Sequence, residues 1–113
     1  MIEKRPWGSY EVISDNKTHK VKIIVVNPGE RLSLQSHKNR DETWVYVSGA
    51  GEIEVGFYKI FFNEETKHVF IARGDKHRVS CLSKEPLIFI EVQTGESFEE
   101  DDIVRYEDDY GRI

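Results

Sequence analysis

The sequence predicts an all-β domain of antiparallel strands, and three features support that fold class. Short segments rich in β-branched and aromatic residues recur along the chain. Turn-forming stretches such as N-P-G-E, S-G-A-G and A-R-G-D separate these segments. No segment has the apolar stripe of an amphipathic helix, which disfavours a parallel sheet with helical crossovers. The pattern therefore favours an antiparallel sandwich or barrel.

Seven segments alternate with a period of two and are expected to form strands. In chain order they are residues 9–14, 19–26, 42–47, 52–62, 68–72, 77–82 and 86–93. Side chains two positions apart in a strand share one face of its sheet. The acidic segment 99–113 carries Ile103, Tyr106 and Tyr110 as apolar anchors, so we expect it to pack against the sheets.

Length and composition point to one domain in a reducing compartment. A chain of 113 residues is long enough for one core and too short for two ordinary domains. Its formal net charge of -5 gives no general attraction for nucleic acid or an anionic membrane. With one cysteine, Cys81, and no signal peptide or long apolar segment, we expect a cytoplasmic protein.

Three polar side chains between residues 32 and 42 are candidates for a metal site. In the stretch L-S-L-Q-S-H, Gln35 and His37 share one face, and a bend after them can bring Glu42 alongside. A second histidine, His77, opens a later strand after the A-R-G-D turn. Imidazole nitrogens with carboxylate and amide oxygens suit a divalent first-row metal. Spacing alone leaves open that these residues form an ordinary polar loop.

The spacing in this region resembles the first cupin motif. Gly29, Gln35, His37, Glu42 and Gly49 occupy the motif positions, with glutamine where many cupins carry a histidine.

The stretch A-R-G-D-K-H, residues 72–77, is similar to the second cupin motif. It departs from that motif at Ala72, where proline is usual, and at Cys81, where asparagine is usual.

A closer resemblance covers nearly the whole chain. The stretches R-P-W-G-S-Y, P-G-E-R-L-S-L-Q-S-H, E-T-W-V-Y-V-S-G, I-E-V-Q-T-G and E-D-D-I-V-R-Y-E-D-D-Y-G-R resemble the type II mannose-6-phosphate isomerases. In that family the cupin unit is often joined to a mannose-1-phosphate guanylyltransferase, and it also occurs alone. The resemblance implies one cupin domain over residues 1–113, folded as a cupin-type antiparallel jelly-roll β-barrel.

The resemblance also implies a cofactor and a reaction. One divalent ion, with zinc expected first and cobalt, manganese, nickel or iron as alternatives, would be held by Gln35, His37, Glu42 and His77. The reaction is the interconversion of mannose 6-phosphate and fructose 6-phosphate, so the partner is a small-molecule sugar phosphate.

Two residues are candidates for the proton-transfer chemistry. Glu91 shares a face with Phe89, and a carboxylate on an apolar strand is most easily explained if that face lines a cavity. Lys22 shares a face with Ile24 and is a candidate acid or oxyanion partner. The alternative for both residues is a solvated outer face.

Phosphate recognition requires local cations in this acidic chain. Guanidinium groups match phosphate with paired donors, and the resemblance favours Arg78 and Arg112.

We expect a homodimer, because edge strands of small barrels commonly pair between protomers.

Two positions depart from the family pattern Q-x-H-x-H-R-x-E-H-W. Asn39 and Thr43 stand where histidines are usual, outside the expected ligand set. These departures keep a non-catalytic cupin that binds a sugar phosphate or nucleotide sugar, or partners a separate guanylyltransferase, as an alternative. An iron dioxygenase is disfavoured by Gln35, since such sites usually need more imidazole.

Overall fold

A computed structural model describes residues 1–113 and contains eleven strands and no helix. No helix of a length and apolarity that would cross a membrane is present. The strands are β1 (Ile2–Arg5), β2 (Gly8–Asp15), β3 (His19–Val26), β4 (Leu34–Ser36), β5 (Arg40–Ser48), β6 (Gly51–Val55), β7 (Tyr58–Phe62), β8 (His68–Ile71), β9 (His77–Cys81), β10 (Leu87–Gly95) and β11 (Val104–Glu107).

The strands form two antiparallel sheets that pack face to face. One sheet has the order β1-β2-β3-β10-β5-β8, and the other has the order β11-β4-β9-β6-β7. The predicted all-β antiparallel class is confirmed. The expected jelly roll is confirmed as well, and it takes the form of a sandwich with free edges rather than a closed barrel, because every strand pairing lies within one sheet or the other.

The eleven strands differ from the seven predicted segments in two ways. The segment 52–62 is a hairpin rather than one strand, because Gly56 adopts a positive φ of 57° that permits a two-residue turn between Val55 and Tyr58. Strands β1, β4 and β11 lie outside the seven predicted segments. The segment that includes β11 was expected to pack against the sheets, and it does so by pairing with β4.

The inner faces of the strands change from apolar to polar along their length. On β3 the inward residues run from Val26 and Ile24 to Lys22 and Lys20, all of them buried. The same change occurs on the other strands that line the interior: Phe89 to Glu91 and Gln93 on β10, Trp44 to Glu42 and Arg40 on β5, and Val79 to His77 on β9. One end of the sandwich is therefore a dry core, and the other end is a buried polar cavity.

Aromatic contacts join the two sheets within the dry core. Trp44 stacks on Phe89 with ring centroids 4.6 Å apart, and Phe89 meets Phe62 edge-on at 5.5 Å. Phe62 comes from the five-stranded sheet, whereas Trp44 and Phe89 come from the six-stranded sheet. Fixed aromatic pairs of this kind hold the sheets at a constant separation at the floor of the cavity.

The outer face of the six-stranded sheet is apolar as well. Strand pairing sets Ile23, Ile90 and Val45 in one row across β3, β10 and β5. Residues in the rows on either side include Val21, Val92, Phe70, Val25 and Ile88. This apolar patch, called the grid below, is four strands wide at roughly 4.8 Å per strand and five residues long at roughly 3.3 Å per residue. It covers roughly 300 Å². A sheet face exposed to water normally carries polar residues instead.

We propose that this grid, rather than a sheet edge, forms the contact of the expected homodimer. It carries no charged residue at its centre and can pack on its own symmetry mate. A standard interface buries about 800 Å² per partner around an apolar core with a polar rim, and the grid is large enough to be that core.

Val45→Glu at the centre of the grid should convert a dimer to a monomer in sedimentation experiments. Phe57→Glu, at a fully exposed turn, is the control and should not. A monomeric parent, or a dimeric Val45→Glu variant, would contradict this assignment.

Candidate metal centre and its cavity

Three potential metal ligands meet at the polar end of the sandwich. His37, Glu42 and His77 are buried, and one ligand atom from each lies within 4.8 Å of the others. His37 Nδ1 is 3.5 Å from Glu42 Oε2, and His77 Nε2 is 4.0 Å from Glu42 Oε1. His37 directly follows β4, Glu42 lies on β5 and His77 begins β9, so all three strands must be correctly placed for the cluster to form.

Backbone contacts hold the two histidines in place. The His77 Nδ1 atom lies 2.9 Å from the carbonyl oxygen of Asp75, which fits an Nδ1–H donor and leaves Nε2 facing Glu42. The N–H of Gly74 donates to the carbonyl oxygen of His37 over 2.7 Å, so the two motif loops are joined directly. Gly74 makes this contact with a φ of 85°, a conformation that glycine adopts without strain.

The two imidazoles are uncharged at neutral pH. Burial, and then the positive charge of Arg40, lower the pKa of His37 to about 3. Burial also lowers the pKa of His77. Neutral imidazole is the form that binds metal ions.

Gln35 adds an amide to the cluster. Its backbone pairs with His77 across β4 and β9, and its side chain lines the same cavity. The amide nitrogen donates to the carbonyl oxygen of Ser33 at 3.4 Å, which leaves the amide oxygen as an available ligand. The structure therefore brings all four sequence-predicted metal ligands to one place.

Arg40 is a buried cation at this cluster, and the sequence analysis missed it. Its Nε donates to Glu42 Oε2 over 2.9 Å, and its Nη2 lies 2.8 Å from His37 Nε2. Its Nη1 is buried without a hydrogen-bond partner. Parity on β5, with Arg40 two positions before Glu42, was the signal that would have identified it.

Glu91 lies in the cavity beside the cluster. It is 8% exposed, and one of its oxygens accepts a hydrogen bond from Gln93 Nε2 at 3.0 Å. Burial, and then the nearby Glu42 carboxylate, raise the pKa of Glu91 to about 7. A carboxyl group with this pKa can accept and release a proton near neutral pH.

Lys22 faces Glu91 across the β3–β10 pairing. Its Nζ donates to Glu100 Oε1 over 2.6 Å and lies 4.3 Å from the centre of the Tyr10 ring. The structure thus places both Glu91 and Lys22 on the cavity wall rather than on a solvated face.

The two arginines expected to hold phosphate lie in different environments. Arg78 points away from the cavity and donates to the carbonyl oxygen of Leu32 and to Glu107, as strand parity beside His77 requires. Arg112 lines the cavity, but Asp108 accepts two hydrogen bonds from its guanidinium, at 2.9 and 2.7 Å. The structure does not bring Arg78 to the site.

Arg5 and Arg105 also line the cavity near Arg112. Burial, with the positive charges of Arg112 and Arg5, lowers the pKa of Arg105. The sequence analysis missed both residues because β1 and β11 were not recognised as strands.

Asn39 and Thr43, the two departures from the family pattern, both lie outside the cavity lining. The strand that carries Gln35 ends at Ser36, so parity does not extend to Asn39, whose backbone bonds to Asp102 and Glu96 instead. Thr43 alternates with Glu42 and Trp44 and therefore lies on the outer face of the sheet.

The sandwich and its buried cluster define a cupin-type fold, and structural comparison supports this. The Schizosaccharomyces pombe Cnp3 cupin domain aligns with a TM-score of 0.73 at 10% identity, covering 77% of this chain and 64% of that one. The capsular polysaccharide assembling protein CapF from Staphylococcus aureus aligns with a TM-score of 0.82 at 20% identity, covering 95% of this chain and 34% of that one. These similarities show the fold alone.

The chain belongs to the family described as "Mannose-6-phosphate isomerase C-terminal", whose sequence model matches residues 2–108. Xanthan biosynthesis protein XanB from Xanthomonas campestris pv. campestris is 45% identical over 108 residues. A mannose-1-phosphate guanylyltransferase from Escherichia coli K12 is 42% identical over 110 residues. Each alignment covers 96% of this chain but 23% of the relative, so the chain spans about a quarter of their length.

Cupins commonly bind a metal ion, and the residues present fit one. Two neutral imidazoles, a carboxylate and a free amide oxygen are buried together, and this donor set suits a divalent first-row ion. His37, Glu42, His77 and Gln35 would hold the ion, while Trp44 Nε1 orients the Glu42 carboxylate by donating to it over 2.9 Å.

Replacing His77 tests the ligand set. In His77→Ala, loss of one nitrogen ligand should lower the metal content well below one ion per chain, as measured by elemental analysis of freshly purified protein. The fold should persist, because the strand backbones carry the sheets. His19→Ala, at the start of β3 and outside the cavity, is the matched control. Full metal occupancy in His77→Ala would refute the ligand assignment.

The pKa of Glu91 predicts a pH-dependent stability of the metal-free protein. Because folding raises this pKa from 4.5 to about 7, its stabilising effect is complete below pH 4.5 and is lost as pH rises through 7. Glu91→Gln removes this loss. The free energy of unfolding of the variant relative to the parent should therefore rise between pH 4.5 and 8, by roughly 3 to 4 kcal/mol at most at roughly 1.4 kcal/mol per pKa unit. Urea titrations at several pH values measure this difference, and an unchanged difference would contradict the predicted burial.

Proposed function

We propose that the protein is a metal-dependent aldose–ketose isomerase that interconverts mannose 6-phosphate and fructose 6-phosphate through an enediol-type intermediate. The observation that carries the proposal is the placement of Glu91 beside the His37–Glu42–His77 cluster in one buried cavity. The family to which the chain belongs supports the choice of sugar phosphate.

The reaction moves one proton between neighbouring carbons. Glu91, as the carboxylate, takes the proton from C2 of the open-chain aldose and returns it to C1, while a proton moves from the hydroxyl on C2 to the oxygen on C1. A base whose pKa lies near the working pH suits both the removal and the return. When bound, a divalent ion supplies polarisation of the carbonyl and hydroxyl oxygens; zinc is proposed first, and cobalt, manganese, nickel or iron are alternatives.

The cavity wall assists this transfer in two ways. Gln93 Nε2 donates to one Glu91 oxygen and so fixes the orientation of this carboxyl group in the cavity. Lys22, opposite Glu91 and held by Glu100, provides a fixed positive charge beside the position where negative charge develops. Both groups are buried, so they act in a region where water screens them poorly.

The departures at Asn39 and Thr43 do not weigh against turnover, since neither side chain reaches the cavity. An alternative function follows from the names of the relatives. Two are named mannose-1-phosphate guanylyltransferases, and this chain spans 22% to 23% of their length. A non-catalytic cupin that binds a sugar phosphate or nucleotide sugar, or that partners a separate guanylyltransferase, is therefore the second candidate.

An isomerase assay on metal-loaded protein separates the two candidates. The parent should convert mannose 6-phosphate to fructose 6-phosphate, and Glu91→Gln should lower kcat by roughly 10²- to 10⁴-fold while keeping its metal. Glu64→Gln, at an exposed position between β7 and β8, is the control. Binding of mannose 6-phosphate without turnover by the parent would favour the non-catalytic function. Turnover that survives in Glu91→Gln would place the base elsewhere.

A further inference from the structure

Arg105 stands apart from the other arginines of the chain. Its guanidinium makes no hydrogen bond and no ion pair, and its Nε is buried without a partner. Every other arginine side chain donates at least one hydrogen bond within the protein. Arg105 as a whole is half-buried, but a buried Nε–H without an acceptor is costly because its lost hydration is not replaced.

The position of Arg105 on β11 directs it to the cavity. Its backbone pairs with Gln35 of β4, and Gln35 pairs in turn with His77 of β9. Residues paired across strands project to the same face of a sheet. Two strand spacings of roughly 4.8 Å separate Arg105 from His77 at the backbone. Arg105 thus lies on the same cavity wall as the candidate metal cluster, displaced from it toward the sheet edge.

A second unneutralised arginine lies at this end of the cavity. Arg5 lines the cavity, and its guanidinium donates to the Tyr10 hydroxyl and to a backbone oxygen. The carboxylate nearest to it, Glu3, is 4.0 Å away and half-exposed. Arg112 is also present, but both oxygens of Asp108 accept hydrogen bonds from it. Arg5 and Arg105 are therefore the guanidinium groups that remain available to a ligand.

We propose that Arg105 and Arg5 form an anion subsite that binds the phosphate group of a phosphomonoester. The phosphate would lie near the sheet edge, and the remainder of the ligand would extend toward His77 and Glu91. Two guanidinium groups present parallel N–H donors that match the oxygens of a phosphate. This inference replaces Arg78 as a phosphate ligand. It rests on the proposed function only in taking a hexose 6-phosphate as the ligand.

The subsite would also act as a positioning device. A phosphate fixed at one end limits how the six-carbon chain can lie, and so brings C1 and C2 to Glu91 rather than another pair of carbons. Loss of the subsite should therefore raise KM for a sugar phosphate and weaken the discrimination against the sugar without phosphate.

The direct test measures binding of inorganic phosphate and of mannose 6-phosphate by calorimetry at constant ionic strength. Arg105→Gln in the metal-loaded full chain should weaken both by roughly 10- to 100-fold, the loss expected for a charge-assisted contact. Arg105→Lys should recover part of the affinity, since it restores the charge without the paired donors. Arg73→Gln is the control, because Arg73 pairs with Asp41 outside the cavity.

The outcomes separate this subsite from the isomerase function. Weakened phosphate binding in Arg105→Gln supports the subsite even if the parent does not turn over mannose 6-phosphate. Unchanged binding of both anions in Arg105→Gln and in Arg5→Gln overturns the subsite even if the parent is an active isomerase. If Arg105→Gln fails to fold, Arg5→Gln carries the same test, because Arg5 is exposed and can be replaced without disturbing the core.

Discussion

One constraint governs the structure. Four strands bury polar side chains at one end of the sandwich, while the same strands form a dry apolar core at the other end. A buried carboxylate or lysine is destabilising unless it is paired, and here the partners come from the same strand or from the segment between β10 and β11. Glu42 is held by Arg40 and by the Trp44 indole, and Lys22 is held by Glu100. The apolar end offsets the free-energy cost of these buried charges, because the aromatic contacts between the sheets keep the strands in register.

The same constraint explains why the cavity is chemically active. Burial keeps His37 and His77 neutral and keeps Glu91 close to half-protonated near pH 7. In water these groups would sit near their ordinary pKa values and would be poorer ligands or weaker bases. Burial therefore destabilises the charged forms of these three side chains, and a bound cation or substrate can offset part of that cost.

How much of this was predictable depends on whether residues lie on a recognisable strand. Motif spacing and period-two parity led to Gln35, His37, Glu42 and His77, and the structure gathers them. Parity also correctly directed Glu91 inward, because an apolar strand surrounds it. Arg78 shows the opposite case, since it is adjacent to His77 and the same parity rule sends it to the other face.

The residues missed by the sequence analysis belong to short or charged segments. Strand β11 reads V-R-Y-E, and nothing in those four residues reveals that it pairs with β4 or that Arg105 lies opposite Gln35. Edge strands of this kind are specified by tertiary pairing rather than by their own pattern. The split of residues 52–62 at Gly56 was in principle visible, because glycine before a bulky residue is a turn signal even inside an alternating segment.

Charged side chains are distributed unevenly along the cavity. The chain as a whole carries a formal charge of -5, which repels anions at a distance. The cavity lining nevertheless contains five cationic side chains, Arg5, Lys22, Arg40, Arg105 and Arg112, and three carboxylates, Glu42, Glu91 and Glu100. The lining carboxylates are paired with cations or set beside the candidate metal ligands. Arg105 forms no ion pair, because the nearby buried Asp108 is bound to Arg112, and Arg5 reaches only the half-exposed Glu3 at 4.0 Å. The electrostatic potential is therefore positive only inside the cavity, near the unpaired arginines. A small ligand with one strongly anionic end is bound with that end toward them, and so in one orientation. That orientation puts the charged end at the arginines and leaves the uncharged end to meet Glu91 and the histidines.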